Sequence, residues 1–135
     1  MWPYYQALFF LCFIRTSTAT TTASGGTWQT LADAGKTIFN TTCASCHGKN
    51  GEGTDICPVT IWGQGSTLGS FNGVVLFGDA AGMYNYMSKS MPLTKPGSMT
   101  QQQYQELLAY ILVQGNKVTP SNVFDQNNLS SISIP

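Results

Sequence analysis

The chain has 135 residues, which is enough for one domain of ordinary size and too few for a second one. Only 9% of the residues are charged, and six basic side chains balance six acidic ones. This balance excludes a basic surface for nucleic acids and leaves little charge for steering a partner over a distance. Because His47 is the one histidine of the chain, chemistry that needs two of them is excluded as well.

The N-terminal residues are typical of a targeting segment. Residues 7–14 form an apolar run shorter than the ~20 residues of a membrane-spanning helix, and small residues such as Ala19 and Ala23 follow it. This order predicts a secretory signal peptide over residues 1–23, with a retained N-terminal anchor as the alternative, because Arg15 follows the run instead of preceding it. Either way we expect an exported protein, periplasmic or on the extracellular face of the membrane.

Hydrophobic periodicity predicts three helices in the remainder of the chain, each with a recognisable start or stop signal. The first covers residues 31–41. The second is capped by Asp79, runs to Ser90 and is stopped by Pro92. The third runs from a Ser98 or Thr100 cap to Gly115.

The segments around these helices predict loops. Residues 24–30 are a Ser/Thr/Gly-rich tether ahead of a domain over residues 31–119, within which residues 48–77 are rich in glycine. Residues 120–135 lack periodicity and are predicted to be an extended tail over the surface. The predicted fold class is therefore all-α, with three main helices and long glycine-rich loops. Helices joined by so much loop cannot build a large core alone, and a bulky apolar cofactor would complete it.

The segment from Cys43 to His47 reads C-x-x-C-H, the attachment motif of c-type haem. Its two thiols add to the porphyrin vinyl groups, and the adjacent imidazole reaches the iron. A redox dithiol would need a βαβ setting, and a zinc site would need four ligands, whereas Cys12 and Cys57 have no matching spacing. The motif therefore predicts one covalent haem c bound by Cys43 and Cys46, with His47 as a metal ligand.

The second axial ligand of the iron is predicted to be a methionine, since no second histidine exists. Met83, Met87 and Met91 recur at four-residue steps, which by itself is ordinary helix packing. Met91 differs because Pro92 follows it and must break the helix, so its side chain can turn into a pocket. We favour Met91, with Met87 and Met99 as the alternatives.

Cys57 has no partner in the mature chain once the two motif cysteines are committed. It is interpreted as a small buried residue beside the haem, with an intermolecular disulfide or a Cys12–Cys57 bridge as alternatives. Asn40 and Asn128 begin N-glycosylation patterns whose use the sequence leaves open.

From about residue 33 to residue 118 the chain resembles a class I cytochrome c. Three features carry this resemblance: the haem motif, the Gly35-x-x-x-Phe39 pattern before it, and the final helix around Tyr110. This resemblance implies three helices around one covalent haem, with Gly35 of the first helix facing Tyr110 of the last. It also implies that the carbonyl of Pro58 accepts a hydrogen bond from His47 Nδ1 and fixes the imidazole.

A narrower resemblance concerns the order of three segments, which are Met91-Pro92, Lys95 to Thr100, and the closing residues 129–135. This order is similar to that in the single-haem cytochrome subunits or domains of sulfite and sulfane dehydrogenases. In that group the methionine of the Met-Pro pair is the distal ligand, which the resemblance carries over to Met91.

A haem held by a histidine and a methionine is closed to substrate, so the sequence predicts a non-enzymatic electron-transfer protein. We expect it to act as a carrier or as the electron-transfer subunit of a larger oxidoreductase, docked stably because it has little charge. A peroxidase-like haem enzyme and a gas-binding or sensing module, each with a displaceable distal ligand, are the alternatives. Candidate haem contacts are Ile61, Trp62, Leu68, Phe71, Leu76, Phe77, Met87, Leu93 and Met99. Candidate propionate contacts are Trp62, Gln64, Ser66, Thr67 and Lys95.

Overall fold

The computed structural model describes residues 26–62, 70–71 and 74–134. The predicted signal peptide or anchor, Leu68, and the polar residues Gln64, Ser66 and Thr67 lie outside the described residues.

Helices make up most of the described secondary structure. Helix α1 (Trp28–Ile38) continues through a π-helical turn (Phe39–Cys43) into the short helix α2 (Ala44–His47). Two-residue strands β1 (Ser70–Phe71) and β2 (Val74–Val75) form an antiparallel hairpin. Helices α3 (Ala80–Ser90) and α4 (Gln101–Gln114) follow, and a 3-10 helix (Gln126–Ser131) lies near the C-terminus. The hairpin is too small to change the predicted all-α class.

Helix α1 begins three residues before its predicted start, because Thr27 is its N-cap. The Thr27 hydroxyl accepts a hydrogen bond from the backbone N–H of Thr30, and Trp28 is already buried. The end of the predicted tether is therefore the first turn of a helix. Helices α3 and α4 start as predicted: Asp79 accepts from the Gly82 N–H, and Thr100 forms a reciprocal capping box with Gln103.

Helices α1 and α4 cross at close range. A side chain at Gly35 would overlap the backbone carbonyl of Glu106 and would come within 3.0 Å of the Leu107 nitrogen. The Tyr110 ring lies one turn further along α4, with its centroid 5.5 Å from that of Phe39. The atoms nearest to Gly35 are therefore backbone atoms of α4, and its contact with Tyr110 stays a prediction.

The C-terminal residues are part of the core, which corrects the prediction of an extended surface tail. Phe124, Leu129 and Ile134 are buried, and Ile134 is completely so. The Phe124 ring packs edge-on against Trp28 at a centroid distance of 4.9 Å, and the buried Gln105 side chain bonds to the tail. These apolar residues are five apart, a spacing that matches neither helix nor strand period, so periodicity could not detect them.

In the part of the chain that the structure describes, no helix is both long and apolar enough to cross a membrane.

We predict that Gly35→Ala lowers the free energy of unfolding by about 1–3 kcal/mol, because the added methyl group must push α4 away from α1. Gly78→Ala is the matched control: nothing lies within 4 Å of the position its Cβ would take. The control should change stability by no more than about 0.5 kcal/mol. Urea unfolding of both holoproteins, followed by circular dichroism, measures the difference. Equal stability of the two variants would contradict the close crossing.

Candidate functional site

A cavity of about 440 Å³ lies between the C-x-x-C-H segment, the end of α3 and the buried face of α4. Its volume is in the range of pockets that enclose an organic ligand, about 300–1,000 Å³. Most of its lining is apolar. The lining includes Phe39, Cys43, Cys46, His47, Cys57, Val59, Ile61, Leu76, Phe77, Met83, Tyr86, Met87, Met91, Pro92, Leu93, Leu107 and Ile111.

The helical run that follows α1 brings the motif to this cavity. Cys43 ends the π-helical turn, whereas Cys46 and His47 lie on α2, and all three side chains line the cavity. The Thr41 hydroxyl donates to the carbonyls of Thr37 and Ile38, at 2.9 and 3.2 Å, and so supplies a donor where the α-helical pattern changes. A helical backbone thus places both thiols and the imidazole against one space.

The loop after the motif is tied to it through Thr54. The Thr54 hydroxyl donates to the Cys46 carbonyl at 2.6 Å and accepts from the backbone N–H of Ile56 at 3.2 Å. The Gly53 N–H also donates to the His47 carbonyl at 2.8 Å. These bonds hold the loop against the last two residues of the motif. Sequence reasoning missed Thr54, because a loop threonine carries no signal of what its hydroxyl will contact.

Burial controls the protonation of the motif side chains. Burial, reinforced by the neighbouring Cys46, raises the pKa of the Cys43 thiol to about 11, so this thiol is protonated at neutral pH. Burial also lowers the pKa of His47 below its ordinary value of 6.5, which favours the neutral imidazole. A neutral imidazole has a nitrogen lone pair available to a metal ion.

The predicted hydrogen bond from His47 to Pro58 is absent. His47 Nδ1 is buried and has no hydrogen-bond partner. The loop is held to the motif by Thr54 and Gly53 instead, and the Cys57 carbonyl accepts from the Thr54 N–H at 2.9 Å. A buried imidazole without a polar partner, beside two thiols and a largely apolar cavity, fits a large apolar group that carries a metal.

The candidate methionines lie at different places relative to the cavity. Met83 and Met87 are buried on α3 and line it, and Met91 lines it from the residue that caps this helix. The backbone of Met91 is extended, so its side chain leaves the helical row. Met99 is half-buried against the core and does not line the cavity.

Five of the predicted haem contacts line the cavity, and Trp62 does not. Trp62 is buried in an aromatic cluster, with ring-centroid distances of 4.8 Å to Phe39 and 5.4 Å to Tyr110. This position follows from Gly51, where a side chain would come within 2.8 Å of the Trp62 ring. The five that line the cavity are Ile61, Leu76, Phe77, Met87 and Leu93.

Other predicted contacts are not brought to the cavity. Lys95 is exposed and, like Met99, is not among the lining residues, and Phe71 is described only by its backbone. The lining residues that were missed lie mainly on the helices, such as Tyr86 on α3 and Ile111 on α4. Their periodicity placed them on the apolar faces of predicted helices without showing that a cavity would lie beside them.

Comparison with known proteins gives two matches. A family model described as "Cytochrome c" matches residues 32–114. The structure is similar to a chain in the crystal structure of the sulfane dehydrogenase SoxCD from Paracoccus pantotrophus, with a TM-score of 0.62 and 24% sequence identity. The match covers 87% of this chain and 62% of that one, so it spans less than two thirds of the length of the other chain. At this identity the likeness is one of fold. No curated protein sequence matches.

We predict that Thr54→Val destabilises the protein by about 1–2 kcal/mol, because the Cys46 carbonyl and the Ile56 N–H lose their shared partner. Thr54→Ser keeps the hydroxyl and should remain within about 0.5 kcal/mol of the parent protein. The free energies of urea unfolding provide the measurement. If serine is as harmful as valine, the methyl group matters and the hydroxyl does not.

Proposed function

Because the chain belongs to the cytochrome c family, we propose that Cys43 and Cys46 hold its haem c through thioether bonds and that His47 and Met91 are the two axial ligands of the iron. This proposal rests on the cavity. The motif side chains and Met91 line it together, although 44 positions separate His47 from Met91 in the chain. The protein is a c-type cytochrome that works in electron transfer.

The haem, when bound, supplies one-electron redox chemistry at its iron. The chain's own residues determine how that chemistry is used. The thioether of Met91 favours the reduced state more than a second imidazole would, and the apolar lining acts in the same direction. If both His47 and Met91 bind the iron, no coordination position would be left for a substrate. We therefore propose that the protein has no enzymatic activity of its own.

Three methionine variants test the ligand and the function together. Met87→Leu, Met91→Leu and Met99→Leu change the side-chain volume little, so each should fold. We expect Met91→Leu to abolish the weak far-red absorption band of methionine-ligated ferric haem and to make the ferrous protein bind carbon monoxide. Met87→Leu and Met99→Leu should keep the band and exclude carbon monoxide. The optical spectra of the oxidised and reduced proteins, with and without carbon monoxide, are the measurement.

Two outcomes would contradict the proposal. Loss of the band in Met87→Leu or Met99→Leu alone would move the ligand to that residue and preserve electron transfer. A parent protein that is high-spin and binds carbon monoxide would instead favour haem catalysis or gas sensing.

We further propose that the protein is docked stably on a larger oxidoreductase of the kind that oxidises sulfur compounds. The fold is similar to that of a sulfane dehydrogenase chain, which supports this class of partner. The scarcity of charge supports stable docking, because only 9% of the residues are charged, and Ile56, next to the cavity-lining Cys57, is 75% exposed. Apolar side chains in such positions favour contacts that exclude water over contacts steered by charge.

The salt dependence of the native assembly tests this docking. The protein purified from its own cells should elute in size-exclusion chromatography with a larger partner at about 0.05 M and at about 0.5 M salt alike, since screening weakens only charged contacts. The visible haem spectrum identifies the fraction, and mass spectrometry identifies the partner. Elution at the size of a free monomer, or dissociation as salt rises, would contradict stable apolar docking.

A further inference from the structure

We propose that Tyr104 is the positioning residue for Met91. Its hydroxyl holds the Met91 backbone and thereby keeps the thioether at the cavity. The inference rests on the proposed function, because it concerns the methionine that we assigned to the iron.

The backbone of Met91 is held on both sides by different helices. Its N–H donates to the Met87 carbonyl of α3 at 3.0 Å, which is the last bond of that helix. Its carbonyl accepts a hydrogen bond from the Tyr104 hydroxyl of α4 at 2.7 Å. A short bond of this kind, between a buried phenol and a backbone carbonyl, is directional. The two bonds together fix the direction in which the Met91 side chain leaves the chain.

The segment that follows Met91 offers little other support. Residues 93–98 are all exposed, and their hydrogen bonds to the segment itself include Lys95 N–H to the Pro92 carbonyl at 2.9 Å. The Gly97 N–H approaches the Met91 carbonyl only at 3.4 Å. Among residues 26–62, 70–71 and 74–134, the Tyr104 bond is the one side-chain hydrogen bond from another helix to residues 91–98. Without it, the end of α3 would be free to fray.

Tyr104 is itself held in place by the helix to which it belongs. It lies in the first turn of α4, directly after the capping box of Thr100 and Gln103, and it is only 3% exposed. Helix α4 is in turn packed against α1 at Gly35. The hydroxyl is therefore presented from a buried, capped turn of a helix that packs against α1, which makes it suited to hold a ligand that an exposed loop follows.

The variant Tyr104→Phe removes the hydroxyl and keeps the ring. Tyr110→Phe is the matched control, because Tyr110 is on the same helix and is 7% exposed, but its ring packs on Phe39 and Trp62, away from the loop. We expect Tyr104→Phe to weaken the methionine band of the ferric protein and to let carbon monoxide bind to the ferrous protein, which the parent protein excludes, because losing one buried hydrogen bond should make release of the methionine about tenfold more frequent. Tyr110→Phe should keep the band and exclude carbon monoxide, as the parent protein does.

The spectra separate a positioning role from a structural one. If neither variant changes the band or carbon monoxide binding, Tyr104 does not position Met91, while the assignment of Met91 stands. If both variants change them equally, the effect comes from the core and the inference is overturned. If the parent protein already lacks the band and binds carbon monoxide, the proposed function fails, and the inference fails with it.

Discussion

The structure depends on the close approach of α1 and α4 at Gly35. A glycine there lets the backbone of one helix lie directly against the Glu106 carbonyl of the other, a separation that any side chain would prevent. The two helices are far apart in the chain, so the crossing joins its N-terminal and C-terminal halves. Helix α4, the longest helix described, also contributes the fully buried Leu108 and Leu112 to the core.

The same crossing determines where the functional side chains can lie. Helix α1 runs on through the π-helical turn into the motif, so the crossing places His47 relative to α4. Helix α4 contributes Leu107 and Ile111 to the cavity, and Tyr104 from it bonds to the backbone of Met91. Helix α4 therefore helps to position both proposed iron ligands, although they come from different parts of the chain. A rigid frame of this kind suits electron transfer, in which the ligands should move little between oxidation states.

Because the chain has few charged residues, the site is surrounded mainly by uncharged side chains. The cavity is lined mainly by apolar side chains, and burial lowers the pKa of His47, which favours the neutral imidazole. Leu76 and Leu93 line this cavity and are also exposed, so its apolar character reaches the surface. The interior of the cavity and its rim are thus both apolar. The same property affects the electronic character of the site and the way in which a partner would dock.

The parts of the protein that depend on local chemistry could be predicted from the sequence. The haem motif is five consecutive residues, the caps Asp79 and Thr100 act within three residues, and the proline after Met91 must end a helix. The parts that could not be predicted involve partners distant in the chain. Gly35 lies against the backbone of Glu106, Trp62 joins an aromatic cluster instead of the cavity, and the C-terminal residues fill the core. Each of these depends on how two elements dock, and a periodicity in one element shows that a face is buried without showing what buries it.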